Sequence, residues 1–268
     1  MIRVILLSCV MTAGVPVSAA ANLNLDVSPL RVTVQMSAGA EYTNAVEVSN
    51  SGDEPVRMVA YVEDWVLDEV GTPMFYDAGA LPVSCSPWVD SAPADFLLEP
   101  GETETVRFSV RVPEGVPAGG YPCALILENL PLNRAETGGN QVFVRGRVAC
   151  MVYVTVGQPG RSAEIAAMTT VLKDGKPTLR MQVANTGGDF IRLAGDLCVL
   201  ARDLPCNKMV SLPDVPVLPG SARWVEVELP SGNFAEGMRA QVTLRMDGLD
   251  VMVGECSVAA EVIASRVP

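Results

Sequence analysis

The chain has 268 residues, of which 49% are hydrophobic, and it carries 20 prolines, 23 glycines and a formal net charge of −12. Short valine-rich runs separated by proline and glycine are typical of antiparallel β-sandwiches. The 19 basic residues never cluster, so the sequence offers no basic stripe and predicts no nucleic-acid partner. The absence of histidine excludes Ser-His-Asp and Cys-His catalysis and leaves almost no support for a zinc site.

Residues 1–21 have the features of a secretory signal peptide. Arg3 precedes an apolar run from Val4 to Val17, and the small residues Ala19 to Ala21 supply a cleavage site. A retained membrane anchor is the alternative, but the run is barely long enough and contains Ser, Thr, Gly and Pro. We therefore predict an exported chain, in which disulfides can persist.

The first half of the chain predicts a series of strands. Leu23 to Val34 alternates between apolar and polar residues, and Pro29 marks a kink or a switch between sheets. A long strand follows from Val56 to Val66, with Trp65 predicted to be buried. Residues 141–156 form the longest strand candidate, at sixteen residues, against a usual strand length of about five or six. Gly157 to Gly160 then ends this strand.

An eleven-residue motif occurs once in each half of the chain, as residues 48–58 and 183–193. The shared pattern is V-x-N-[ST]-G-x-x-x-[VI]-R-[ML]. In each copy a strand ends on the asparagine, glycine allows a turn, and a second strand begins at Val56 or Ile191. The repeat predicts an all-β fold of two tandem immunoglobulin-like β-sandwich domains, at residues 22–157 and 158–268.

The second domain is predicted to contain about seven strands. Asp-Gly pairs within 173–176 and 246–249 fit two-residue hairpin turns. The first strand lies near Ile165, and the other predicted strands cover 178–184, 191–200, 222–229, 239–246 and 253–263. Short alternating strands in about this number are typical of an immunoglobulin-like sandwich.

Six cysteines follow the predicted signal peptide, and six cysteines allow fifteen pairings. Cys123 and Cys150 lie on successive predicted strands and could pair across a sheet. Cys198 and Cys206 flank a turn around residues 202–203. No C-x-x-C motif occurs, so structural disulfides are favoured over a redox or metal site, and no cofactor or metal is predicted.

The first domain resembles the N-terminal domain of the periplasmic chaperones of the chaperone–usher pilus pathway. The likeness runs through most of residues 24–156, and it is carried by Ser28-Pro-Leu-Arg31-Val, Val46-x-Val48-x-Asn50, Tyr61-Val-Glu-Asp-Trp65, Ser91-x-Pro93, Phe96-x-Leu98-x-Pro100-Gly101, Val106-Arg107 and Leu125-x-Leu127-x-Asn129-Leu-Pro131. The resemblance implies two immunoglobulin-like domains set at an angle. It also implies that a subunit binds along the last strand of the first domain and at the cleft between the domains.

In that family, the long last strand completes a pilin that lacks its own final strand. By resemblance, the subunit-binding residues here are Val142, Phe143, Val144 and Val148, with the three valines on one face and Phe143 on the other. Gly146 interrupts the face where the family prefers a large apolar residue. The alternative is that residues 141–156 pair only within their own sandwich.

The family also holds the subunit's C-terminal carboxylate with an Arg on the first strand and a Lys on the last. Arg31 matches the first position, and a guanidinium suits a carboxylate. The Lys is missing, because Cys150 or Met151 stands in that region and the nearest cations are Arg145 and Arg147. We therefore predict an anchor of Arg31 with Arg147, against the alternative that Arg31 is an ordinary surface residue.

These observations predict a non-enzymatic periplasmic chaperone that binds and stabilises pilus- or fimbria-like subunits by donor-strand complementation. Its expected partners are pilin-like subunits and an outer-membrane usher, with no small-molecule substrate. The alternative is a non-enzymatic structural or adhesive cell-envelope protein with the same tandem domains. A glycosidase is a third hypothesis, because it requires only two carboxylates that converge in one cleft.

Overall fold

The computed structural model describes residues 24–130, 145–201, 206, 209–246 and 249–264, without the side chains of 249–251. The predicted signal peptide and the predicted subunit-binding residues Val142, Phe143 and Val144 lie outside these ranges. Within them, the strands form four sheets in two sandwiches, so the prediction of an all-β, two-sandwich fold is confirmed.

The first sandwich is built from the strands between residues 25 and 156. They are β1 (Leu25–Ser28), β2 (Arg31–Met36), β3 (Glu41–Asn50), β4 (Val56–Leu67), β5 (Pro73–Asp77), β6 (Val89–Ala92), β7 (Asp95–Leu98), β8 (Thr103–Arg111), β9 (Gly119–Leu130) and β10 (Arg147–Val156). One sheet has the order β1-β3-β8-β6, and the other has the order β2-β10-β9-β4-β5, with β7 also paired to β4. A short 3-10 helix, Ser86–Trp88, precedes β6.

The predicted switch between sheets at Pro29 is confirmed. The Ser28–Pro29 peptide bond is cis, and it separates β1, which pairs with β3, from β2, which pairs in parallel with β10. Alternate residues of β10 are buried between the two sheets, where Val152 and Val154 are fully buried beside Val46 and Phe108. The opposite face of β10 is therefore turned outward, away from this core.

The second sandwich follows β10, and no described strand of one sandwich pairs with a strand of the other. Its strands are β11 (Ala163–Lys173), β12 (Lys176–Asn185), β13 (Ile191–Ala201), β14 (Met209–Val217), β15 (Ala222–Glu228), β16 (Met238–Met246) and β17 (Leu249–Ser257). They form a β11-β12-β15 sheet and a β14-β13-β16-β17 sheet. The boundary after Gly157 falls between β10 and β11 and stays our proposal for the limit between the domains.

Both predicted hairpins of the second sandwich are present. Asp174 and Gly175 have φ values of 49° and 76°, as a two-residue turn with positive φ at both positions requires. Met246 pairs with Leu249 at the other hairpin. The predicted last strand over 253–263 is wrong beyond Ser257, because the chain forms the helix α1 (Ala260–Ala264) there, which buries Val262 in the core.

The repeated motif folds in the same way in both sandwiches. The side-chain amide of Asn50 donates to the carbonyl oxygens of Glu54 and Leu98 at 2.8 and 3.1 Å, and its oxygen accepts from the Gly52 N–H at 3.0 Å. Asn185 repeats the three bonds with Asp189, Val217 and Gly187 at 2.8, 3.0 and 2.9 Å. Each asparagine thus ties its turn to a neighbouring strand end or loop.

Strand β10 is shorter than the sequence predicts. It begins at Arg147 and has 10 residues, fewer than the 12 residues of β4 and of β9. Arg145 and Gly146 are not part of the strand. The Gly146 carbonyl oxygen still accepts from the Asn129 N–H of β9 at 3.1 Å, but the Gly146 N–H donates to the Asn129 side chain and not to the backbone. Residues 141–144 lie outside the described ranges.

Among the described residues, two cysteines form a disulfide and the other four are free thiols. Cys198, which lies in β13, forms a disulfide with Cys206. Cys123 and Cys150 are buried and unbonded, so the cross-strand pair considered from the sequence is not formed. No helix in the described part of the chain has the length and hydrophobicity needed to cross a membrane.

Candidate functional site

Part of one edge of β10 is not paired with any strand that the structure describes. Along its whole length, from Arg147 to Val156, β10 pairs with β9. On its other side β2 pairs only with Met151 to Val156. Residues 147–150 therefore carry backbone groups along one edge that no described strand covers. An exposed strand edge is a template for pairing with another chain.

The side chains of this open edge alternate between two environments. Val148 is partly buried and lies on the same face as the fully buried Cys150. Arg147 and Ala149 lie on the opposite face. The Arg147 guanidinium pairs with Glu63 and lies 5.8 and 5.9 Å from the ring centroids of Tyr61 and Phe75. Arg147 is thus already matched by a carboxylate of its own chain.

A second carboxylate lies in the same cluster. The Tyr61 hydroxyl donates to Glu128 at 2.6 Å, and burial together with this hydrogen bond raises the pKa of Tyr61 to about 12. Arg145 lies 3.3 Å from the other oxygen of Glu128. Both cations nearest to the open edge therefore face acidic partners within the first sandwich.

The other half of β10 leads into a cleft between the two sandwiches. Arg31 is opposite Met151 in the parallel pairing of β2 with β10, and it lines the cleft with Tyr153, Phe190 and Arg192. Tyr153 and Phe190 pack edge to face with their centroids 5.0 Å apart. Burial raises the pKa of the Tyr153 hydroxyl, while the positive charges of Arg192 and Arg31 act in the opposite direction. The cleft thus combines aromatic walls with two guanidinium groups.

The charges of the cleft are unevenly balanced. Arg161 donates to the buried carboxylate of Asp189 at 2.7 Å, and Arg192 donates to Asp214 at 2.6 Å. Arg31 is exposed and makes no ion pair with any residue in the described ranges. An anion that entered the cleft would meet Arg31 without displacing a partner that the structure describes.

The structure brings Arg31 together with Arg192 and not with Arg147. Arg147 precedes Met151, the register partner of Arg31, by four residues, which is about 13 Å along a strand. Met151, not Cys150, occupies the position beside Arg31, where the family resemblance implied a lysine. Arg192 was not among the residues that the sequence predicted for the site. It is the arginine of the repeated motif, so the motif itself was a signal that could have indicated it.

No group of three or more potential metal-binding side chains is arranged to hold a metal ion within the described ranges. The site is thus defined by a backbone edge, a carboxylate-lined cluster at one end and an arginine-bearing aromatic cleft at the other. This arrangement suits an extended peptide whose end carries a negative charge.

Comparison of the sequence with protein-family models gives no match, and comparison with curated proteins gives none either. The structure is similar to the class 5 fimbriae chaperone CfaA, with 11% identity over 88% of this chain and 99% of that one and a TM-score of 0.49. It is similar to the Pseudomonas aeruginosa CupB2 chaperone, with 14% identity over 87% and 100% and a TM-score of 0.44. A chain in the complex of the Salmonella enterica SafA pilin with the SafB chaperone has 13% identity over 90% and 99%, with a TM-score of 0.45. These are likenesses of overall shape alone.

Proposed function

We propose that the protein is a non-enzymatic periplasmic chaperone for pilin-like subunits and that it lends the open edge of β10 to a subunit that lacks one strand. The observation that carries this proposal is the half-covered strand, whose residues 147–150 are unpaired on one side among the described residues. Backbone hydrogen bonds to an added strand would satisfy both partners. Natural sheets rarely leave such an edge without a use or a cover.

The donor segment in this proposal includes Val148 and extends towards Val142, Phe143 and Val144. Alternate apolar side chains of a donor strand fill pockets of the acceptor, while the backbone supplies most of the affinity. Export through the signal peptide of residues 1–21 would bring the protein to the periplasm, where an outer-membrane usher would be its second partner.

The cleft supplies the second contact of the proposal, which is to the C-terminal carboxylate of the subunit. Arg31 has no ion-pair partner among the described residues, and Arg192 lies across the same cleft. A bidentate guanidinium–carboxylate bond is stronger than a neutral hydrogen bond, and the neighbouring Tyr153 and Phe190 rings lower the local dielectric. We assign the anchor to Arg31 with Arg192, because Arg192 lines the same cleft, whereas Arg147 lies four residues along β10 from the position beside Arg31.

The test is coexpression of the protein in a periplasm with candidate pilin-like subunits from its own genome, followed by recovery of a one-to-one complex. Arg31→Ala should weaken the complex roughly 10- to 100-fold, because a hydrogen bond to a charged group contributes about 1.5 to 3 kcal/mol. Val144→Asp should abolish it by placing a charge in the donor strand, with the variant still folded.

A matched control is Arg107→Ala. Arg107 is also exposed, but it lies on β8 in the opposite sheet, so the same loss of charge should leave binding unchanged. If Arg31→Ala and Arg107→Ala weakened binding equally, the change in net charge would explain the loss, and the proposed contact of Arg31 would not be supported. Recovery of no complex with any subunit would favour the structural or adhesive alternative.

A further inference from the structure

Three thiols lie in the core of the first sandwich. Cys85, Cys123 and Cys150 each have 0% of their surface exposed and belong to one apolar cluster. The proposed function makes no use of them, since they face away from the cleft. Three buried thiols in an exported protein call for an account of their redox state.

The backbone places Cys85 directly against Cys123. The Cys85 N–H donates to the carbonyl oxygen of Pro122 at 3.4 Å, and the Ser84 hydroxyl donates to the same oxygen at 3.1 Å. The Cys123 side chain is a near neighbour of the Cys85 thiol, and burial together with this neighbour raises the pKa of that thiol. Because Pro122 directly precedes Cys123, these bonds hold the two cysteines side by side within one buried cluster.

Cys150 is placed less favourably for a bond to Cys123. In the pairing of β9 with β10, Cys123 is opposite Val152 and Cys150 is opposite Leu125, so the two cysteines are diagonal neighbours. Diagonal positions of an antiparallel pair are about 7 to 8 Å apart, with somewhat shorter Cβ separations. A disulfide requires a Cβ separation of about 3.5 to 4.5 Å. Bonding Cys123 to Cys150 would therefore require the strands to shift.

We propose that Cys85 and Cys123 form a second disulfide, and that Cys150 remains a thiol beside it. The inference depends on the proposed export only for its oxidising environment, with which the Cys198–Cys206 disulfide agrees. The bond would fix the segment before β6 to the start of β9. It would close a loop through β6, β7 and β8, and so restrain the unfolded chain.

The oxidant is a disulfide donor, such as oxidised glutathione or a disulfide-bearing oxidoreductase. The Cys123 thiolate attacks one sulfur of the donor, which forms a mixed disulfide and releases one donor thiolate. The Cys85 thiolate then attacks the Cys123 sulfur of the mixed disulfide and releases the second donor thiolate. Two protein thiols are oxidised, one donor disulfide is reduced, and the two protons pass from the protein thiols to the donor thiolates.

The reaction takes place before the sandwich closes. In the folded core, burial raises the pKa of the Cys85 thiol and raises that of Cys150 to about 12. Thiolate is the reactive form, so the folded core protects an existing bond from exchange and keeps Cys150 inert.

The test is refolding of the full-length chain in a buffer of oxidised and reduced glutathione, followed by alkylation of remaining thiols in denaturant and tryptic mapping without reductant. Cleavage after Lys and Arg places the three cysteines on separate peptides, which are 58–107, 112–134 and 148–161. We expect 58–107 to be linked to 112–134, and Cys150 to be alkylated on 148–161. The link between 193–202 and 203–208, which carry Cys198 and Cys206, is the internal control for oxidation.

Two variants sharpen the test. Cys85→Ala should make Cys123 alkylatable, whereas the matched variant Cys150→Ala should keep the link between 58–107 and 112–134. A link between 112–134 and 148–161 in the wild type would overturn the proposal. So would full alkylation of Cys85 and Cys123 when the internal control is linked. Neither result bears on subunit binding, which is measured separately.

Discussion

The asparagine turn of the first sandwich and its copy in the second differ in the residue four positions after the asparagine. In the first copy this residue is Glu54, which is exposed. In the second it is Asp189, which is 3% exposed and accepts hydrogen bonds from Thr155 and Arg161, both at 2.7 Å. Thr155 belongs to β10 of the first sandwich, so the second copy joins the two sandwiches.

The residues beside Asp189 continue the contact. The Gly120 N–H donates to the Gly188 carbonyl oxygen at 2.8 Å, and the Phe190 ring packs against Tyr153. The asparagine hydrogen bonds are the same in both copies, so they build the turn. The residues inserted into the turn decide what the turn contacts, and the second turn thereby forms one wall of the cleft.

The largest loss of stability is expected when the asparagine that both copies of the turn share is replaced. Asn50→Ala and Asn185→Ala should each lower the free energy of unfolding by about 3 kcal/mol, because each deletes three hydrogen bonds at a buried site. Chemical denaturation followed by two probes, one in each sandwich, measures both losses and tests whether the sandwiches unfold together.

Ser49→Ala is the control, since its hydroxyl bonds to Thr103 at an exposed position and its loss should change stability by less than about 0.5 kcal/mol. A loss confined to one of the two asparagine variants would mean that the copies are alike in geometry but not in energetic role.

The next largest loss of stability should occur in the second copy of the turn and not in the first. Asp189→Asn should destabilise the protein by about 2 kcal/mol, because Arg161 loses its buried carboxylate partner, whereas Glu54→Gln should change stability by less than about 0.5 kcal/mol. Added salt should change the wild type little, since the Asp189 side chain is only 4% exposed and buried pairs are weakly screened. Similar losses for the two variants would contradict the joining role of Asp189.

Much of the fold could be predicted from local patterns in the sequence. Alternation marked the strands, Pro29 marked the switch between sheets, and the repeated asparagine motif indicated two similar units. These signals are local, because each depends on residues within one strand or turn. The sequence did not indicate the short helix after Ser257, because an apolar residue such as Val262 can be buried by a strand as well as by a helix.

The site was less predictable because it depends on pairing between distant segments. Arg31 meets Met151 only through the register of β2 with β10, and a shift of one residue would have brought Cys150 there instead. The same holds for Arg192, which reaches the cleft through the packing of one sandwich on the other. The resemblance to a known family therefore pointed to Arg31 but not to Arg192.

A smaller effect is expected where the second turn packs against β9. A Cβ atom at Gly120 would lie 2.9 Å from the Phe190 ring and 3.0 Å from Pro219, so Gly120→Ala should cost about 1 to 2 kcal/mol by overpacking. Combining it with Phe190→Leu should recover part of the loss, and the coupling is obtained from the unfolding free energies of the double-mutant cycle. Gly160→Ala, with no atom within 4 Å of the new Cβ, is the control, and a purely additive cycle would argue against this contact.

The smallest effect on stability tests the arginines of the motif. Arg57 donates to Asp95 at 2.9 Å and Arg192 donates to Asp214 at 2.6 Å, and all four side chains are between 40% and 54% exposed. Exposed ion pairs contribute about 0 to 1 kcal/mol, so Arg57→Ala and Arg192→Ala should each shift the unfolding midpoint only slightly.

The same pair of variants should differ clearly in binding. Arg192 lines the cleft beside Arg31, whereas Arg57 lies on β4 and pairs with β7, so only Arg192→Ala should weaken recovery of a subunit complex. Asp214→Ala should leave binding intact or strengthen it, because it frees Arg192 for an incoming carboxylate. Equal binding by the Arg57 and Arg192 variants, at equal stability, would restrict the anchor to Arg31 and leave Arg192 as a surface residue that the repeated motif happens to carry.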